Sequence, residues 1–325
     1  MGRIFKSYRP DKIAPERLCQ IDYIEDPGQD QAKQIASYIK GTAETLPFHR
    51  KYKIFSTVFA TCDIEVTTLL PGEFNPTDKP VGIPYLFQFR LAGKNYLFRY
   101  KEQFRKFIDA IADELHNGDY VLVCYVHNLS YEYQFFKTIL SIDRDSIFAL
   151  QTRRIGKFTT NSGAIEWRCS YLLSNMSLEK FTENYCTPEF RKDKELIDYE
   201  IIRFPWSRLS NDIIYYSLMD VVTLEQAVLS LMRREDDSIK TIPMTNTGYV
   251  RRAYRLSCLG GNTKHYRTKK EKETYEKFFL YRRMFTKTQL TYEQYKLCSD
   301  AFRGGNTHAN RFFRGADSSG ASGGR

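Results

Sequence analysis

The spacing of apolar positions changes several times along this chain, and each change marks an element. From Lys53 to Val66 (KIFSTVFATCDIEV) β-branched and aromatic residues dominate, the composition of a strand. Tyr85–Leu91 and Tyr96–Tyr100 flank Ala92-Gly93-Lys94-Asn95, which predicts a hairpin. Phe104, Phe107, Ile108, Ile111 and Leu115 recur at helical spacing, and Asn117-Gly118 supplies the stop. Tyr120–Val126 is almost wholly apolar and reads as a strand covered on both faces. A helix is predicted over Tyr131–Leu140, then a second hairpin from Phe158–Thr160 and Ala164–Cys169 around Asn161-Ser162-Gly163. Ser177–Tyr185 is a candidate for a short helix, and Ser210 can N-cap a long helix to about Met232. Ahead of all these, a helix is predicted from about Asp30 to Leu46.

Strands followed by alternating helices and strands indicate an α/β layer fold with a mixed sheet. The pattern divides the chain into an N-terminal extension (residues 1–50), a main domain (51–235), a connector (236–313) and a tail (314–325). The tail, Arg314 to Arg325, is rich in Gly and Ser and nearly devoid of apolar residues, so it is expected to be flexible. Lys264 to Lys277 is strongly charged and reads as a solvated helix face.

Composition narrows the class. With 325 residues, 42% of them hydrophobic, the chain can bury a full core. No apolar run approaches a membrane span, and the first twenty residues lack a signal-peptide core, so a soluble, cytoplasmic protein with no membrane partner is expected. The seven cysteines are scattered without a CxxC pair, and the five histidines do not join them at zinc spacing. Reduced, buried thiols are the expectation. The net charge of +10 favours an anionic partner, and 23 Tyr with 23 Phe suit stacking on unpaired bases, although core packing also accounts for many of these rings.

Candidate chemistry falls in three places. Asp63 and Glu65 are two apart on the first strand, so both carboxylates point to one face. Two like charges aimed together call for a cation, while an exposed strand end also fits such a pair. Just beyond the buried strand stands His127-Asn128-Leu129-Ser130-Tyr131-Glu132, at the sheet edge where sites assemble. There Asn128 also fits a helix cap, and Glu132 a favourable charge near a helix N-terminus. On the long helix, Tyr216 and Asp220 are four apart and share a face, with Asp220 set among Leu218, Met219, Val221 and Val222.

Taken in order, DxE, N-x-x-Y-acid and Y-x-x-x-D resemble the three exonuclease motifs of family B DNA polymerases. Lys194-Glu195-Leu196-Ile197-Asp198-Tyr199 resembles the lysine-bearing motif of the protein-primed subgroup. Ser177-Leu178 followed by Phe181 resembles that subgroup's motif for the single-stranded 3′ end, and Phe302-Arg303-Gly304-Gly305 resembles its Y-x-G-G linker. The resemblance covers roughly residues 55 to 313. It implies a ribonuclease H-like exonuclease fold, a mixed central sheet flanked by helices, in residues 51–235, with a connector leading toward a polymerase palm.

The activity implied is two-metal hydrolysis of 3′-terminal nucleotides, with Asp63, Glu65, Glu132 and Asp220 holding two Mg²⁺ or Mn²⁺ ions. Tyr216 would orient the attacking water and Lys194 would offset phosphate charge. Asn128, Ser177, Leu178 and Phe181 would hold the 3′ end, and Phe302, Arg303, Gly304 and Gly305 would contact DNA. The implied partners are a single-stranded 3′ end, primer-template DNA and a terminal priming protein, in viral or plasmid DNA replication.

Three departures stand out. Glu132 occupies a position where the family usually has Asp, Val66 one where the subgroup often has Thr, and Phe302 one where it has Tyr. No polymerase motif follows the linker, so polymerisation by this chain is not expected. A competing reading is a non-catalytic module that binds DNA or a priming protein; another is an unrelated ribonuclease H-like nuclease.

Overall fold

The computed structural model describes residues 21–48, 51–72, 75–116, 119–151, 154–187, 198 and 201–259, with residues 273–301 described in part. The chain divides into two compact units, Met1–Tyr249 and Val250–Arg325. The first holds nearly all the described architecture. In chain order it consists of β1 (Tyr23–Glu25), α1 (Gln29–Thr42), β2 (Ala43–Phe48), β3 (Lys51–Leu69), β4 (Val81–Leu91), β5 (Lys94–Phe98), α2 (Lys101–Glu114) and β6 (Tyr120–Val126). Then come α3 (Leu129–Ile139), β7 (Ile142–Gln151), β8 (Arg154–Thr160), β9 (Ile165–Cys169), α4 (Ser170–Ser174), α5 (Leu178–Tyr185) and α6 (Asn211–Arg234). Beyond these, α7 (Asn246–Leu259) runs across the division, and α8 (Tyr292–Ala301) lies in the second unit.

The described strands form one mixed sheet in the order β1-β5-β4-β3-β6-β9-β8-β7, with β2 paired to the first part of β3. Its centre is an antiparallel meander, β3-β4-β5, to which β6 and then β9 add in parallel with β3. The resulting core order, β5-β4-β3-β6-β9, with its second strand reversed, is that of the ribonuclease H-like fold.

Both faces are covered. On one, α1, α2 and α3 pack over the sheet through Ile35, Ile39, Phe104, Phe107, Ile108 and Phe136, with Phe87 stacked on Phe104 at 5.1 Å. On the other, α6 runs across the sheet and buries Leu224, Val228 and Leu231 against Phe59, Val123 and Tyr125. The expected strand over Tyr120–Val126 is present with the same limits, and it is buried on both faces from Val121 onward. Ser210 caps α6, its hydroxyl accepting from the Ile213 amide at 3.4 Å.

The first helix and β7 are two of the places where the structure departs from expectation. The first helix stops at Thr42 instead of Leu46, because the next stretch joins the sheet as β2, paired antiparallel to β3. Pro47 favours this, since the residue before a proline is biased toward extended backbone. β7 was absent from the sequence reading. It is an edge strand with largely exposed side chains, so it carries no alternation of apolar and polar residues. Among the described residues, no helix is long and apolar enough to cross a membrane. Cys62, Cys124 and Cys169 are buried free thiols, as expected, and Cys186 is half-buried, its thiol donating to the Thr223 carbonyl at 3.8 Å.

Candidate metal centre

The alternation of β3 sets the site. Ala60, Cys62 and Ile64 point into the core beneath α1 to α3, while Phe59 packs under α6. Thr61 also faces α6, where its Oγ1 donates to the Val221 carbonyl at 2.8 Å. Asp63 and Glu65 continue this second series past the end of the apolar contact, so period-two geometry alone brings both carboxylates to the helix. There α6 presents Asp220, one residue before Val221, and Ser217, whose hydroxyl donates to Glu65 Oε1 at 3.2 Å. Carboxylate oxygens of Asp63, Glu65 and Asp220 lie within 4.8 Å of one another.

Glu132 approaches from the neighbouring strand. β6 runs parallel to β3, with Cys62 opposite Val126, and the chain then turns through Asn128 into α3, whose first turn carries Glu132. The Glu132 side chain is buried, and its Oε2 has no hydrogen-bond partner. Burial pushes its pKa up to about 8; the charge of Asp220 adds to the rise, and a hydrogen bond from its own backbone opposes it. At neutral pH this carboxyl therefore keeps a proton unless a cation takes the proton's place.

These side chains fit a divalent metal. All four are hard oxygen donors, the set preferred by Mg²⁺ and Mn²⁺. Three already converge, and the fourth holds a buried oxygen without a partner.

The other expected residues divide into three groups. Tyr216 is buried one helical turn from Asp220. Asn128 stands at the N-cap of α3 in the left-handed conformation (φ 60°, ψ 48°), but its side chain makes no capping bond, so the helix-cap alternative does not describe it. Ser177 is exposed and caps α5, accepting from the Lys180 amide at 3.3 Å, and Leu178 is half-buried against the core beneath α6. Phe181 corrects an expectation: it is wholly buried in that core, edge-on to Tyr185 at 5.2 Å, so it anchors α5 and offers no surface to nucleic acid. Lys194, Phe302, Arg303, Gly304 and Gly305 lie outside the described residues.

Two contributors carry no signal in the sequence. Thr61 and Ser217 look like ordinary strand and helix hydroxyls, and only their tertiary bonds give them a part in the site. The half-exposed Tyr131 phenol sits in the field of the carboxylates: its pKa is raised by partial burial, then by Glu132, Asp63 and Glu65. It is the tyrosine of the N-x-x-Y-acid motif, which by itself assigns it no role. His127 Nδ1 lies 3.0 Å from Ser170 Oγ, and burial lowers its pKa to about 4, so the ring is neutral.

No protein-family profile matches the chain, and comparison with curated proteins gives no significant match. Among solved structures it is similar to a cysteine-to-serine variant of the catalytic core of RRP6 from Trypanosoma brucei, with a TM-score of 0.38 and 9% identity over 67% of this chain and 50% of that one. It is also similar to RNase D of the same organism in complex with GMP (TM-score 0.39, 10% identity, 80% of this chain and 73% of that one). The EXO domain of Nibbler from Aedes aegypti gives 0.35 and 11%, over 71% of this chain and 93% of that one. The chain thus spans half the length of the RRP6 core. Identity this low and superposition this loose add nothing to the side-chain geometry, on which the functional reading rests.

Proposed function

We propose that this chain is a metal-dependent 3′→5′ exonuclease acting on single-stranded DNA ends, of the kind carried by protein-primed family B DNA polymerases. The observation that carries the reading is the convergence of Asp63, Glu65 and Asp220 within 4.8 Å toward the end of β3, with a buried, unpartnered Glu132 oxygen in the field of Asp220. The ordered motifs of the sequence support the polymerase context, and the net charge of +10 supports a polyanionic substrate.

In this reading Asp63, Glu65, Asp220 and Glu132 hold a pair of Mg²⁺ or Mn²⁺ ions. Bound there, such ions activate a water and stabilise charge on the leaving 3′ oxygen. Ser217 fixes Glu65 by its hydrogen bond, and Thr61 fixes the distance between β3 and α6. Tyr216 orients the attacking water through its hydroxyl. Asn128, exposed at the turn from β6, and Ser177 and Leu178, at the start of α5, hold the frayed end.

A 5′-labelled single-stranded oligonucleotide tests this. With Mg²⁺ or Mn²⁺ the protein shortens it stepwise from the 3′ end; chelator or Asp63→Ala abolishes shortening while binding persists. Undiminished cleavage by Asp63→Ala would overturn the assignment. Binding without cleavage under either ion would instead identify a non-catalytic DNA-binding module.

A further inference from the structure

The segment 201–210 (IIRFPWSRLS) has no regular structure, yet it is held by hydrogen bonds at Arg203, Phe204 and Ser207. The Arg203 amide donates to Thr67 Oγ1 at 3.0 Å, and its guanidinium donates to the carbonyls of Asp198 and Ile201 at 3.0 and 3.2 Å. Phe204 and Ser207 close a turn on each other: the Ser207 amide donates to the Phe204 carbonyl at 2.9 Å, and the Phe204 amide to Ser207 Oγ at 2.9 Å. The Arg99 guanidinium donates to the Ser207 carbonyl.

What this bracket displays is Trp206. The indole is 71% exposed and lies flat on the Phe204 ring, with centroids 4.9 Å apart and 2° between the planes. An indole left in water gains little from burial, so fold stability gives a poor account of so well-pinned a mounting. A single exposed aromatic needs no explanation. A stacked pair on a fixed turn is a rigid apolar platform with one open face.

Its location narrows what that face can take. The bracket is tied to Thr67, two residues beyond Glu65 on β3 and so roughly 7 Å further along the strand. It leads directly into the Ser210 cap of α6, the helix that carries Asp220. Arg208 is exposed two residues from the indole, on a chain of net charge +10. Flat aromatic surface beside a cation is the arrangement that holds unpaired bases.

We propose that the Trp206–Phe204 stack is a base platform for the single strand whose 3′ end lies at the carboxylates, with Arg208 on its phosphates. This rests on the nuclease reading above, and it assigns to that site a second contact that none of the sequence motifs contains.

Fluorescence isolates the platform, because the only other tryptophan, Trp167, is fully buried. The Asp63→Ala protein is titrated with oligodeoxyuridylate, oligouridylate and a blunt duplex. A single strand is expected to quench Trp206 emission and shield it from acrylamide; which of the two oligomers does so names the sugar accepted. Trp206→Ala is expected to weaken single-strand binding on the order of tenfold, and Trp206→Phe to retain most of it, which separates stacking from damage to the fold. Unchanged emission together with unchanged binding by Trp206→Ala would overturn the platform, as would equal quenching per nucleotide by the duplex, whose bases are open only at its two ends. Hydrolysis of the p-nitrophenyl ester of thymidine 5′-monophosphate by the wild-type protein probes the carboxylates by themselves. If the ester is cleaved, a failed platform leaves the nuclease reading standing. If neither ester nor oligonucleotide is cleaved, the reading falls and the platform with it.

Discussion

The hydroxyl of Thr61 donates to the carbonyl of Val221 at 2.8 Å, and with the Ser217–Glu65 bond it joins the strand that carries Asp63 to the helix that carries Asp220. It is fully buried and links residues 160 apart in sequence. Thr61→Val keeps the shape and removes the bond. A buried hydrogen bond contributes about 1 kcal/mol net, so urea unfolding should show a loss of that order. Metal-dependent cleavage should fall further than this loss predicts, because the distance between the two carboxylates is no longer pinned. Activity that merely follows stability would show that Thr61 does not position the site.

Buried Glu132 and half-buried His127 give the metal-free protein opposite responses to pH. The Glu132 pKa is raised from 4.5 to about 8. A carboxyl raised in the folded state stabilises the fold fully below the unfolded value, and that contribution is lost as pH rises through the folded one. Its window is therefore pH 4.5 to 8, with stability falling. His127 is lowered from 6.5 to about 4. The unfolded chain then binds the extra proton, so stability rises with pH between 4 and 6.5. The two slopes oppose each other between pH 4.5 and 6.5, and only the Glu132 loss continues to pH 8. In chelator, the melting temperature of Glu132→Gln should lack the fall between pH 6.5 and 8 that the wild type shows. His127→Gln should instead begin its fall at the lower pH. Added Mg²⁺ should raise the wild-type melting temperature most at the top of the range, where the Glu132 proton is easiest to displace.

Glu132→Asp would install the residue that the resembling polymerases usually carry. In this chain the backbone at the start of α3 places a glutamate, and its Oε2 is the oxygen left without a partner. Removing one methylene withdraws the carboxylate by about one bond length, and Mg²⁺ tolerates little distortion. Cleavage should drop by about tenfold or more, with Mn²⁺ recovering part of it as the less demanding ion. Equal activity would mean that the site has enough play to accept either acid.

Legibility in the sequence followed physical locality. Asp63 and Glu65 were readable because a strand's period of two is strict, and Asp220 because a carboxylate stands out in an apolar helix. β6 and α6 were readable as a continuous apolar run and a capped amphipathic helix. β7 was not, since an exposed edge leaves no burial pattern. Phe181 was misplaced because a motif says which residues recur together, not which way a ring points; here it points into the core. Thr61, Ser217 and the Phe204–Trp206 stack depend on contacts distant in sequence or on a loop's turn, and neither has a period to detect.

One turn beyond Val221, the same face of α6 is tied to the sheet by an ion pair that should behave differently from a surface one. Arg90 Nε donates to Glu225 Oε2 at 2.7 Å, and both residues are buried. Arg90 also donates to the Gly93 carbonyl at 3.0 Å and to Asn95 Oδ1 at 2.9 Å, and Asn95 in turn donates to the Asp22 carbonyl at 2.9 Å. The guanidinium thus joins α6, the β4–β5 turn and the segment leading to β1. Glu225→Leu would leave a buried cation without its counter-charge, which costs about 3–5 kcal/mol in such pairs. Arg90→Met combined with Glu225→Leu removes both charges and should recover much of that loss, because desolvating the pair already offsets most of its attraction. Urea unfolding of the two variants provides the comparison. A double variant as unstable as Glu225→Leu would mean that the bonds to Gly93 and Asn95, and not the ion pair, hold this corner together.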